Sequence, residues 1–188
     1  MPGTILLHVC CAPCAIGAFE ALQKEGFEVK GFFHNPNIHP LIEFRRRLKA
    51  VKTLRDSLKL DIDCSEEYGL REFLAAVAGR EDGRCPVCYS LRFEAACARA
   101  RELGIPFVTT TLFSSPHQDH DVLEAAGCEA AARHGVEFLR KDFRPGHSGA
   151  HEKARKMKLY RQQYCGCIFS EYERYANTDT HIYGGDRP

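Results

Sequence analysis

The stretch TILLHVCCAPCAIGAFEAL, residues 4–22, indicates the fold class of this chain. Its first part, residues 4–9, is mainly apolar and predicts a short buried strand. From Ala15 onward, apolar side chains recur at helical spacing, and Gly26 provides an end for that helix. The three cysteines of HVCCAPC, residues 8–14, are therefore predicted to lie in a loop that joins a strand to a helix.

The rest of the chain continues this alternation of strands and helices. Further strands are predicted at residues 27–33, 60–64, 105–113 and 136–139, and further helices at about 40–58, 69–78, 90–103 and 120–134. Such alternation favours an α/β fold in which helices cover both faces of a parallel sheet. Open parallel sheets bind ligands at the carboxyl ends of their strands. We therefore expect the site where HVCCAPC, HNPNIHP and SSPHQDHD follow three of the strands.

Length and composition predict one domain with one core. A chain of 188 residues with 44% hydrophobic content can bury a sizeable core. We place the domain at residues 1–176 and a flexible tail at 177–188. No apolar run approaches the roughly 18 to 20 residues of a membrane span, and the start lacks the features of a secretory signal. We expect a soluble, cytoplasmic protein without a membrane partner.

The cysteines fall into tight groups along the chain. Ten cysteines in 188 residues are fewer than the roughly 8–10% typical of short secreted disulfide scaffolds. Three groups stand out: Cys10 and Cys11 with Cys14 beside them, Cys85 with Cys88, and Cys165 with Cys167. Clustered thiols in a reducing compartment indicate metal or redox chemistry.

The spacing of these cysteines favours a particular kind of metal group. Cys85 and Cys88 form a C-x-x-C pair, which can chelate a metal or a cluster or act as a redox dithiol. A charged loop precedes the pair, which favours ligation. We expect the side chains of the adjacent Cys10 and Cys11 to diverge, and this disfavours one tetrahedral zinc. Four thiolates, from Cys10, Cys11, Cys85 and Cys88, would satisfy a [4Fe–4S] cluster.

Other polar residues are weaker candidates. Cys165 and Cys167 form a C-x-C pair that could chelate metal or be oxidised, and two small buried residues are the alternative. Asp119 and Asp142 could handle protons or bind metal, although Asp119 could instead cap a helix. Tyr164 could donate a proton or stack on a base.

The net charge of +1 neither requires nor excludes a nucleic-acid partner. Basic residues are nevertheless concentrated in two regions, at 45–59 and 140–161. Solvated helix faces and a phosphate-binding surface are equally good explanations. The candidate RNA-binding residues are Arg45, Arg46, Lys49, Lys52, Arg144, Lys153 and Arg161.

Five segments occur in an order that resembles the QueH-type epoxyqueuosine reductases: HVCCAPC, RCPVCYSLR, TTTLFSSPHQDH, KDFR and LYRQQYCGCIFS. The similarity runs from about residue 4 to 174. It implies a Rossmann-type three-layer fold of the HUP group, akin to the PP-loop ATPases. It also implies the last step of queuosine formation on tRNA, which is the removal of an epoxide oxygen without cobalamin.

The resemblance also implies cofactors and residue roles. It places a [4Fe–4S] cluster on Cys10, Cys11, Cys85 and Cys88, with an additional iron beside it. Family members often carry aspartate where this chain has Cys14, so a thiolate would replace a carboxylate as ligand of that iron. We expect the catalytic residues to be Cys14, Asp119, Asp142 and Tyr164, and the redox pair to be Cys165 and Cys167.

The partners implied are the anticodon stem-loop of tRNA and an external electron donor such as a ferredoxin or flavodoxin. Two alternatives stay open. One is a PP-loop-like tRNA-modifying enzyme that transfers sulfur, against which the absence of a phosphate-binding loop counts. The other is a zinc-stabilised RNA-binding module, which leaves the adjacent Cys10 and Cys11 unexplained.

Overall fold

The computed structural model describes residues 3–178, and these form a parallel sheet covered by helices. The strands are β1 (Thr4–His8), β2 (Glu28–Phe33), β3 (Ile62–Cys64), β4 (Phe107–Thr110) and β5 (Glu137–Phe138). They lie in the order β3-β2-β1-β4-β5, and every neighbouring pair is parallel. The predicted parallel sheet is confirmed.

Helices cover both faces of this sheet. They are α1 (Ala12–Lys24), α2 (Leu41–Leu58), α3 (Leu70–Val77), α4 (Arg84–Glu102), α5 (His120–His134), α6 (His147–Lys156) and α7 (Ile168–Tyr175). Helix α1 contacts α2 and α6, whereas α4 contacts α3 and α5. The fold class is therefore confirmed as a three-layer, Rossmann-like α/β structure. Within the described residues, no helix is long and apolar enough to cross a membrane.

Several predicted boundaries were wrong. Helix α1 begins at Ala12 and α4 at Arg84, so that Cys14, Cys85 and Cys88 lie in helices rather than in loops. The predicted strand at 105–113 is a strand only at 107–110, and a 3₁₀ turn, Thr111–Ser114, follows it. Helices α6 and α7 were not predicted. Residues 179–188 of the predicted tail lie outside the described part of the chain.

The central strand β1 pairs with β2 on one side and with β4 on the other. The chain order reverses between β1 and β4, which is the place where open α/β sheets bind ligands. The buried His8 ring joins the ends of these strands, since Nδ1 lies 2.9 Å from Thr110 Oγ1 and Nε2 lies 3.1 Å from the His34 carbonyl oxygen. The carboxyl end of β1 is thus fixed where HVCCAPC begins.

Candidate active site

Three buried thiols converge directly after β1. The Sγ atoms of Cys10, Cys11 and Cys14 all lie within 4.8 Å of one another, and those of Cys10 and Cys11 are 3.7 Å apart. The expectation that the adjacent side chains diverge was wrong. Cys11 is the extended N-cap residue of α1, and the change from strand to helix turns its side chain towards those of Cys10 and Cys14.

Hydrogen bonds to neighbouring elements hold this loop. The Cys10 amide donates to Thr111 Oγ1 at 2.9 Å, and Asn35 Nδ2 donates to the Val9 carbonyl at 2.9 Å. The three thiols also interact with one another. Hydrogen bonds from Cys11 and Cys14 lower the pKa of Cys10 well below its usual value. Burial raises the pKa of Cys11 to about 12, and the hydrogen bonds with Cys10 and Cys11 raise the pKa of Cys14. The trio therefore favours one shared thiolate, on Cys10.

The C-x-x-C pair lies at the start of α4. Cys85 is exposed and Cys88 is buried, and neither belongs to the trio that lies within 4.8 Å. Cys88 packs with Cys167 and with Phe73 and Val77 in a small apolar cluster, separate from the main core. Burial raises the pKa of Cys88 to about 12, and the charge of Arg92 opposes this shift. The pair thus lies beside the C-x-C segment.

A buried cation lies between these sulfur groups. Arg92 is only 2% exposed. Its guanidinium donates to Asn35 Oδ1 at 2.7 Å and lies 3.9 Å from Cys88 Sγ. No ion pair joins Arg92 to a carboxylate anywhere in residues 3–178. Its charge adds to the lowering of the Cys10 pKa, and it opposes the rise that burial causes in the pKa of Cys165. An arginine in this setting stabilises negative charge on sulfur.

A cavity of about 410 Å³ opens beside the thiols. Its wall includes Cys14, His117, Gln118, His147, His151, Gln163, Tyr164 and Cys165. Gln118 Nε2 lies 3.7 Å from Cys165 Sγ, and Gln162 Nε2 lies 3.1 Å from Cys11 Sγ. The cavity therefore joins the first cysteine group to the C-x-C segment, and amide side chains lie against both.

Two histidines of α6 also line this cavity. The rings of His147 and His151 are 4.2 Å apart between centroids. Burial, and then the neighbouring His147, lower the pKa of His151, which keeps its ring neutral at pH 7. Their spacing of four residues in HSGAH is the signal that sequence reasoning missed. Gln118, Gln162 and Arg92 carry no comparable signal.

The predicted acid–base residues have other partners. Asp119 caps α5, since its Oδ1 accepts from the amides of Asp121 and Val122 at 3.1 Å. The Arg144 side chain lowers the pKa of Asp142 to about 2. Neither carboxylate lines the cavity. The Tyr164 side chain does line it, while its hydroxyl donates to the His39 carbonyl at 2.6 Å. Their catalytic roles stay predictions.

The basic candidates divide into paired and unpaired groups. Lys52 pairs with Glu66, Arg144 with Asp142, and Lys153 with Glu20. In contrast, Arg46 and Lys49 line a groove of about 200 Å³ together with Lys158, a residue that sequence reasoning missed. The Arg46 guanidinium lies over the Tyr160 ring, 5.8 Å from its centroid. Arg45 and Arg161 are exposed.

Comparison with known proteins links this site to one family. Residues 5–173 match the family described as epoxyqueuosine reductase QueH. Three relatives bear that same name. The protein from Dehalococcoides mccartyi is 36% identical, over 96% of this chain and 99% of its own length. The protein from Thermotoga maritima is 34% identical, over 92% of each chain. The protein from Helicobacter pylori is 39% identical, over 88% of this chain and 49% of its own length.

Proposed function

Since this chain belongs to the epoxyqueuosine reductase QueH family and is an oxidoreductase, we propose that it reduces epoxyqueuosine in tRNA to queuosine at the cavity beside Cys14. The reaction removes the epoxide oxygen and leaves an alkene in the cyclopentane ring. It consumes two electrons and two protons and releases water. The observation that carries the proposal is the cavity itself, because its lining combines the cysteines Cys14 and Cys165 with histidine and glutamine residues.

The donor set fits an iron–sulfur group. We propose Cys10, Cys11, Cys85 and Cys88 as ligands of a [4Fe–4S] cluster, with an additional iron next to Cys14. A cluster with four thiolates carries net negative charge, and the buried Arg92, which has no carboxylate partner in the described residues, supplies a matching positive charge. When bound, such a group supplies single electrons and Lewis acidity.

The protein's own residues would bind and orient the modified base. The side-chain amides of Gln118 and Gln163 can hydrogen-bond to hydroxyl groups and base edges in the cavity. The His147 and His151 rings lie 4.2 Å apart between centroids, and the neutral His151 ring offers both a donor and an acceptor to the cavity. Tyr164, Asp119 and Asp142 stay proposed for proton handling, and Tyr164 is the one of the three that lines the cavity.

The remaining partners are proposed from the same surface. A base can reach the cavity only if it turns out of its stack, while the adjoining phosphates stay on the protein surface. Arg45, Arg46, Lys49 and Arg161 are the predicted phosphate contacts that form no ion pair within the described part of the chain. A ferredoxin or flavodoxin would supply electrons one at a time, and a cytoplasmic location fits a tRNA substrate.

One observation keeps zinc as a second candidate metal. The Cys10 and Cys11 sulfurs are 3.7 Å apart, a separation that one ion bonded to both at roughly 2.3 Å can span. Zinc is redox-inactive. This alternative therefore predicts a colourless protein that cannot reduce the epoxide by itself.

The test combines metal content with turnover. Anaerobically purified protein should be brown, contain iron and sulfide, and bleach with dithionite. Cys85→Ser should lose iron, whereas the matched change of the exposed, remote Cys128→Ser should keep it. Chromatography of nucleosides from epoxyqueuosine-containing tRNA, incubated with protein and reductant, should show queuosine. Stoichiometric zinc with no conversion would overturn the proposal.

A further inference from the structure

A buried ion pair on α2 lies against the C-x-C segment. Arg47 and Glu43 are 3% and 4% exposed, and Arg47 Nε donates to Glu43 Oε1 at 2.7 Å. Burying two charges is costly, so such a pair persists where its remaining donors make further hydrogen bonds. Arg47 Nη1 donates to the Cys165 carbonyl at 2.8 Å, and Nη2 donates to the Tyr164 carbonyl at 2.9 Å. All three nitrogens of the guanidinium are therefore used.

Further bonds hold the same segment against the loop before α2. The His39 amide donates to the Gly166 carbonyl at 2.7 Å, and the Tyr164 hydroxyl donates to the His39 carbonyl at 2.6 Å. Gly166 has φ +148°, and a Cβ there would lie 3.3 Å from Arg47 Nη1 and from Asn37 Nδ2. Residues 164–166 are thus fitted closely around the guanidinium.

This arrangement argues against two other roles for Arg47. A phosphate-binding arginine needs an accessible guanidinium, whereas this one is buried and fully engaged. A residue that only fills space needs no charge, whereas this one makes a forked contact with two successive carbonyls, which requires the planar guanidinium. The fork therefore fixes the two peptide groups on either side of the Cys165 Cα atom.

We propose that Arg47, oriented by Glu43, is a positioning residue for Cys165. By fixing the carbonyls of Tyr164 and Cys165, it places the Cys165 thiol in the cavity wall, 3.7 Å from Gln118. The same fork keeps the preceding Gln162 amide against Cys11. The placement itself is a property of the chain, while its consequence for turnover rests on the proposed function.

The test measures the thiol directly. Full-length protein is alkylated anaerobically over a range of pH, and the limiting rate of each fully ionised thiol is read by peptide mass spectrometry, which removes the effect of the Arg47 charge on the pKa of Cys165. In Arg47→Met, we expect alkylation at Cys165 and amide hydrogen exchange at residues 164–167 to accelerate by on the order of tenfold. Cys128, which is exposed on α5, should react unchanged. Arg47→Lys should be intermediate, because an ammonium cannot bind both carbonyls in a fork.

Controls keep the proposal open to refutation. Arg55→Met removes an exposed arginine from the same helix and should behave as wild type. Gly166→Ala keeps Arg47 but crowds its guanidinium. If Arg47→Met does not fold, Gly166→Ala replaces it, and alkylation at Cys165 should accelerate in the same way. A folded Arg47→Met whose Cys165 rate and exchange match those of Arg55→Met would overturn the proposal. Absence of turnover in the wild type would instead refute the proposed function and leave the thiol result standing.

Discussion

Arg47 and Arg92 are both buried, yet their partners differ in kind. Arg47 has a carboxylate and two carbonyls, which balance its charge and use its donors. Arg92 has one amide oxygen and one sulfur, and its Nε has no hydrogen-bond partner among residues 3–178. The charge of Arg47 is therefore balanced by an adjacent carboxylate, whereas Arg92 has no carboxylate partner in residues 3–178 and has a cysteine sulfur beside it instead.

Replacing Arg92 should alter the electrochemistry of the site. Without a nearby positive charge, adding an electron to the proposed anionic cluster becomes harder, so Arg92→Met should shift its midpoint potential to more negative values. Arg92→Lys retains the charge and should shift it less. A spectroscopic redox titration of the iron-containing protein measures both. Equal potentials in all three proteins would contradict the role assigned to this charge.

His8 should make the protein sensitive to acid. Burial, and then the Arg92 charge, lower the pKa of His8 from 6.5 to about 3. The unfolded chain then binds a proton that the folded chain does not between these values, so stability falls as pH drops below 6.5. At pH 5 the loss is about 2 kcal/mol, since each pKa unit corresponds to about 1.4 kcal/mol.

Urea unfolding of wild type and His8→Gln at pH 7 and pH 5 measures this effect. Other histidines, including His39 with its pKa lowered to about 4, contribute equally to both proteins. The variant should therefore lose less stability than wild type over this interval, by up to about 2 kcal/mol. The same pH dependence in both proteins would exclude His8 as a source.

At the scale of elements, the position of α6 at the site depends on its close packing against α1. A Cβ on Gly17 would lie 3.3 Å from the Ala150 Cβ and 3.5 Å from the Gly146 carbonyl oxygen. Small residues at both positions thus allow close packing of the two helices. This contact places His147 and His151 on the cavity wall.

Gly17→Val should push α6 away from α1. Overpacking of this kind costs roughly 1–3 kcal/mol, and displacement of the two histidines should weaken substrate binding. Thermal unfolding and tRNA affinity measure the two effects. Gly149→Ala is the matched control, because a Cβ there meets open space, and in a helix it should stabilise by roughly 0.5–1 kcal/mol. A Gly17→Val protein as stable as wild type would contradict the close contact.

Capping explains which helix starts could be predicted. Helix α5 starts where expected because Asp119 is a typical N-cap residue with a side-chain hydrogen bond. Cys11 and Gly83, the N-caps of α1 and α4, make no side-chain cap bonds. Pro13, in the first turn of α1, was the usable signal there. Helix α7 is capped by a cysteine, Cys167, which sequence rules do not count as a capping residue.

At the scale of the whole molecule, the parallel sheet with helices on both faces could be predicted, but its strand order was not predicted and the composition of the site was predicted only in part. The alternation of strands and helices places HVCCAPC at the switch between β1 and β4. The spacing of the cysteines along the chain was enough to identify the three cysteine groups. It could not show that Arg92 lies between these groups or that Gln118 and Gln162 contact sulfurs, because those contacts join segments distant in the chain.

The charge distribution predicts how tRNA affinity depends on salt. Each phosphate contact that is removed should reduce the slope of log affinity against log salt by about one. Lys49 and Lys158 lie in the groove beside Tyr160, so Lys49→Gln and Lys158→Gln should each reduce this slope by about one. Lys153→Gln should change the slope little, because Lys153 is paired with Glu20. Filter binding at several salt concentrations measures this. A larger change in slope for Lys153→Gln than for Lys49→Gln would contradict the assignment of the phosphates to the groove beside Tyr160.

The small apolar cluster of Phe73, Val77, Cys88 and Cys167 has a consequence for the lifetime of the protein. Oxidation of either sulfur to an oxyacid places polar oxygen atoms where water is excluded. Exposure to air would therefore loosen the attachment of α3 and α7 as well as consume a thiol. Damage to the thiols and damage to the fold would therefore occur in a single event.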